Sequence, residues 1–213
     1  MTCDVSRRDR QLVQIVDAAL LDSMQRSGHW LVCKPGCTQC CVGVFAIDQL
    51  DVQRLQDGLA MLDETDPARA SRVRRRSRES WERLSPDFPG NSSTGTLAND
   101  DQAAEEFENY ANSEPCPALD PETGACDLYA HRPITCRIFG PPVRSEEGLG
   151  VCDLCYRDAT TREIAACEMN LDSANALQSE LVGDLQKAGC IGNTIVAFAL
   201  AHPLLPPPQS LPA

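Results

Sequence analysis

The chain has 213 residues, of which 42% are hydrophobic and 5% aromatic, and its formal net charge is −12. That much chain buries a core without cross-links, and the negative balance opposes binding to nucleic acid or anionic lipid. The twelve cysteines are therefore an excess that stability does not require, and chemistry has to account for them.

The opening MTCDVSRRDRQL carries arginines without the apolar stretch of an export signal, and no segment reaches the roughly 18 uninterrupted apolar residues of a membrane helix. The expected location is the cytoplasm, where clustered cysteines ligate metal or do redox chemistry instead of pairing. A secreted disulfide protein is the disfavoured alternative. Over residues 9–27, Leu12, Val13, Ile15, Val16, Ala19, Leu20 and Met24 recur at helical spacing and predict an amphipathic helix. After the cysteine-rich CKPGCTQCC, Asp48 is placed to cap a second helix running to about Leu62, with Val52, Leu55, Leu59 and Leu62 on one face. Asp66-Pro67 then reads as cap and first position of a third helix ending near Leu84.

That third helix carries seven arginines, and seven acids follow between Asp87 and Glu114. The juxtaposition points to a solvated or internally paired insertion over residues 63–113, with a flexible loop in SPDFPGNSSTGTLAND, and not to a nucleic-acid patch. Beyond the second cysteine block, residues 158–169 and 172–188 are expected to be helical, with Gly189 as a cap, and a last helix spans about 192–201. Residues 1–205 read as a single metal-binding domain and 206–213 as a proline-rich tail. Helices dominate and strand signals are sparse, so the expected fold is mainly α, with helices around an irregular cysteine-rich metal-binding centre.

Cys33, Cys37, Cys40 and Cys41 fall within nine residues on a turn containing Pro35 and Gly36. Short spacings of this kind bring two sulfurs to one centre without strain. Adjacent side chains diverge, however. Cys40 and Cys41 therefore serve two neighbouring centres, or one of them supports the other from behind. Cys116, Cys126 and Cys136 are about ten residues apart, so each comes from its own turn, with Arg132 and Arg137 placed to offset thiolate charge. Cys152 and Cys155 have knuckle spacing and read as part of a second site or as a redox dithiol. Cys3, Cys167 and Cys190 are isolated and are left out as bystanders, as are His29 and His131.

CKPGCTQCC followed by the helix beginning at Asp48, and then CPALDPETGACDLYAHRPITCRIFG, resembles the bacterial cysteine-cluster family named for its CxxCxxCC signature. Cys116, Pro117, Leu119, Cys126, Leu128, Tyr129, Arg132, Pro133, Cys136 and Arg137 match its second block in order, while the first spacing here is C-x3-C. The resemblance covers about residues 30–62 and 114–157. It implies a zinc or iron–sulfur centre built from both blocks. It also carries a second reading, a protein-lysine N-methyltransferase of the flagellin methylase type, which would act on a protein substrate and bind S-adenosylmethionine. No glycine-rich loop after a strand marks a site for that cofactor, Gly148-Leu-Gly150 being only a fragment.

Overall fold

In the computed structural model, residues 3–34, 36–145 and 148–202 are described. The proline-rich tail and the side chain of Cys3 lie outside them. The fold is mainly α, 57% helical with a few short strands. Contacts divide the chain into two compact units, the first made of residues 1–35 and 134–183, the second of 36–133 and 184–213.

In the first unit, α1 (Cys3–Ser27) is longer than its periodicity implied and buries Leu12 and Val16 completely. It packs on α5 (Ile134–Ile138), where the buried Arg137 reaches Asp17 of α1 at 2.9 Å. The strands β3 (Val143–Ser145) and β4 (Gly148–Gly150) form an antiparallel pair. Then come α6 (Thr161–Ala166), closed by a reciprocal Thr160–Glu163 capping box, and α7 (Asp172–Lys187), whose last turn belongs to the second unit. The Gly189 cap is present. At φ +88° it lets Cys190 N–H return to the Leu185 carbonyl at 2.9 Å.

In the second unit, α2 (Gln49–Thr65) begins at Asp48, whose carboxylate accepts from the Leu50 and Asp51 amides. Asp66 accepts from the Arg69 amide and starts α3 (Pro67–Leu84). These helices pack with the short apolar α8 (Val196–Ala201) around Ile47, Leu55, Leu59, Val73 and Leu200. Only the second half of the stretch expected as the last helix is helical, because Thr194 pairs with Ile47 as an isolated bridge and holds the preceding residues extended. A second apolar cluster joins Trp81, Phe88, Tyr110 and Ile195.

The segment expected to be a loop carries a short β-hairpin. Gly90–Asn91 (β1) pairs with Thr96–Leu97 (β2), and the Asn91 side chain accepts from the Ser93 and Thr94 amides. Leu97 N–H bonds to the Asn193 carbonyl at 2.9 Å, and Gly95 at φ +65° lies against the Phe198 ring, where no Cβ fits. A short α4 (Asp101–Asn109), capped by Asp100, follows. Among the described residues no helix is long and apolar enough to cross a membrane.

Candidate metal centre

Among the described residues, Cys33, Cys37, Cys40, Cys41, Cys116, Cys126, Cys136, Cys152, Cys155, Cys167 and Cys190 carry thiols that are not joined in disulfides. The two units divide them.

In the second unit Cys40 and Cys41 ride on a single 3-10 turn, Gln39–Cys41. The chain then runs antiparallel to the start of the second block. Val42 bridges Pro115, Gly43 N–H donates to the Glu114 carbonyl at 2.9 Å, and Cys116 N–H donates to the Cys41 carbonyl at 2.7 Å. Gly43 turns at φ +89°, where a Cβ would press to 3.2 Å on the Asn112 carbonyl. The lacing continues beyond Cys116. Leu119 bridges Cys126, and Asp127 N–H reaches the Ala118 carbonyl at 2.7 Å. Three cysteine-bearing stretches are thus laced side by side by backbone bonds, and Cys116 and Cys126 pack on the apolar core.

The thiols of Cys40, Cys41, Cys116 and Cys126 lie within electrostatic reach of one another. A hydrogen bond from Cys41 lowers Cys40 to about 6, and the more distant charge of Arg132 adds to this. Cys41 is raised, first by donating that bond and then by burial. Burial pushes Cys116 up to about 12 and also raises Cys126. One thiolate forms easily here, and the other three thiols stay neutral until a cation compensates their charge. Arg132 is anchored by its own turn, stacked 3.9 Å over the Tyr129 ring and donating to the Tyr129 carbonyl at 2.9 Å.

Motif spacing assigns α3 no part in this block, yet α3 holds it. Asp127, next to Cys126 and with only 1% of its side chain exposed, accepts from Arg69 and, at 2.6 Å, from Arg76. Arg76 also donates to the Pro117 carbonyl at 2.9 Å. Ser80 and Arg83 reach Glu114 at 2.7 and 2.6 Å. Positions 69, 76, 80 and 83 recur every three, four or seven residues and so share one helix face. That stripe was the available signal. Other arginines of α3 pair with acids outside the run between Asp87 and Glu114, Arg74 with Asp63 and Arg75 with Glu79. Cys37 is half-buried in the same unit, in the loop where Gly36 and Thr38 approach the turn at Gly124.

In the first unit Cys152 and Cys155 are buried in an apolar cluster with Tyr156 and Cys167, against Trp30 and Leu31. Cys167, expected to be a bystander, is therefore packed among the cysteines of this unit. Cys155 N–H bonds to the Cys152 carbonyl at 2.9 Å, closing the knuckle. Tyr156 turns left-handed at φ +56° and donates its amide to the Trp30 carbonyl at 2.9 Å. The pair follows β4 but lies in turns, so no helix opens on it in the manner of a redox dithiol. Cys33 is exposed, with its sulfur 3.9 Å from that of Cys155. Burial raises the Cys152 thiol. Cys136 lies on α5 in this unit. The buried Ser23 and Ser27 of α1 support the knuckle from behind, bonding to the Cys167 carbonyl and the Tyr156 hydroxyl. The His29 ring lies tilted against that of Trp30, and the His131 side chain lies against Gly58.

Residues 32–156, which include all nine predicted ligands, match the family model CxxCxxCC, described as a "putative zinc- or iron-chelating domain". The chain belongs to the CxxCxxCC family. No curated protein and no solved structure matches it. Among the described residues no group of three His, Cys, Asp or Glu side chains is preset to hold an ion.

Proposed function

We propose that this CxxCxxCC protein chelates zinc or an iron–sulfur cluster in a reducing compartment, and that Cys40, Cys41, Cys116 and Cys126 are the ligands in its second unit. The observation that carries this reading is the lacing of the Cys41, Cys116 and Cys126 backbones, which puts four thiols from two sequence blocks within reach of one another. Soft thiolate donors favour zinc and iron–sulfur clusters over hard cations. A bound centre supplies the positive charge that turns the neutral thiols into thiolates. The rest is done by the chain. Arg132 offsets the surplus negative charge, Cys37 stands by as the neighbouring thiol of the signature, and the α3 arginines hold the Cys126 turn in place.

Elemental analysis of protein isolated without oxygen tests the proposal. Zinc or iron at near-stoichiometric level is expected, and Cys40→Ser and Cys116→Ser should each lower it. A fully reduced protein that carries neither metal and takes up neither on reconstitution would refute it. The methylase reading stands or falls on S-adenosylmethionine binding, and a calorimetric titration without heat would remove it.

A further inference from the structure

We infer that the first unit carries its own mononuclear tetrahedral metal site, built from Cys33, Cys152 and Cys155 with Cys136 as fourth ligand. The inference rests on the chelating role proposed above and adds a second, separate centre to it.

Three observations converge. Four tetrahedral sulfurs at a zinc–sulfur distance of about 2.3 Å are spaced about 3.8 Å apart. The sulfurs of Cys33 and Cys155, 122 residues apart in sequence, stand at 3.9 Å. Thiolates on a cubane cluster each bind a different iron and lie farther apart, so this spacing fits two sulfurs on one metal atom and not a cubane. The knuckle bond between Cys155 N–H and the Cys152 carbonyl then brings the second sulfur of a C-x2-C pair to the same side.

Gly140 supplies the third observation. Its carbonyl accepts from Cys152 N–H at 3.4 Å, and a Cβ added there would stand 2.9 Å from the Cys33 sulfur. At φ +119° the backbone is also in a region that side chains disfavour. Glycine is what allows the Cys33 thiol and the knuckle to share this space. Cys136 lies four residues before Gly140, on α5 of the same unit, and is assigned as the fourth ligand on that placement alone. Binding is simple exchange: a divalent cation takes four thiolates, and the four thiol protons pass to solvent. The signature is thereby split between Cys33 and the Cys40–Cys41 turn, whose two adjacent thiols hydrogen-bond to each other and so meet at one site despite the divergence expected of neighbours.

Cobalt(II) titration of the metal-free, reduced, full-length protein tests this by its sulfur-to-metal charge-transfer bands and equivalents bound. Wild type should take up metal in two classes. Cys33→Ser alters an exposed side chain and leaves the apolar cluster intact. It should weaken one class by at least about 100-fold, and Cys136→Ser should do the same. Gly140→Ala keeps every thiol and should weaken that same class. Cys116→Ser should spare it and abolish the other. If Cys33→Ser and Gly140→Ala leave both classes intact, or if either removes both classes together, the separate site is refuted while chelation by the second unit stands. If wild type binds no metal, chelation itself fails. Unchanged helical circular dichroism in Cys33→Ser and Gly140→Ala confirms that a lost class reflects lost ligation.

Discussion

Replacing Asp127 by Asn removes the charge on which two arginines of α3 converge while keeping the shape of the side chain. The carboxylate is buried, with 1% of the side chain exposed, whereas Arg69 and Arg76 are 36% and 18% exposed. A hydrogen bond to a charged group contributes about 1.5–3 kcal/mol, and breaking a fully buried pair costs about 3–5 kcal/mol. Solvent reaches both guanidinium groups, so each contribution falls toward its lower limit. The expected loss is about 2–4 kcal/mol. Urea unfolding should be followed by Trp81, which lies on α3, in a Trp30→Phe background that removes the other tryptophan. A double-mutant cycle completes the argument. Arg69→Met with Arg76→Met should cost far less once Asp127 is already Asn, because the interaction has gone. Metal affinity of the second unit should fall about 10–100-fold, since Asp127 orients the turn that presents Cys126. A loss under about 0.5 kcal/mol, the size of an ordinary surface effect, would refute the reasoning, as would strict additivity across the cycle.

Gly58→Ala, ordinarily worth about 0.5–1 kcal/mol of stabilisation in a helix, should destabilise here. The new Cβ would stand 2.5 Å from the His131 Cβ and 2.6 Å from its Cγ, atoms close to the backbone that cannot swing away. A net loss of about 1–2 kcal/mol by urea unfolding is expected, and a gain would contradict the packing described. In metal-free protein, Cys40 should be the first thiol alkylated as pH rises, half-maximal near pH 6, as mapped by mass spectrometry. Earlier labelling of Cys116 would contradict the order. Cys116 lies at about 12, above its ordinary value of 9.0, so its burial stabilises the metal-free fold fully below about pH 9. That contribution should fade as pH climbs toward 12, and a urea midpoint that rises over this range would overturn the assignment.

Local chemistry made much of the helical framework legible. A carboxylate at Asp48 or Asp66 meets amides two or three residues ahead, so its capping role is written within one turn of sequence. Gly189 was readable as a cap for the same reason. The hairpin at Gly90–Leu97 was not, because what orders it is distant: the Asn193 carbonyl and the Phe198 ring. Composition read it as a loop, and composition carries no information about such partners. The arginines of α3 were likewise counted as charge, although their spacing already placed four polar side chains on one face.

Residue order is enough to mark a mainly α chain of the CxxCxxCC family, because helix periodicity, caps and motif spacing act over a few residues. Which cysteines stand together emerges from the packed fold. Cys33 and Cys37 are four apart in sequence yet belong to different compact units, while Cys33 and Cys155 stand sulfur to sulfur across 122 residues. Spacing fixes how far a thiol can reach, but its partners depend on where the intervening helices carry the chain, and that is set by the packing of their apolar faces.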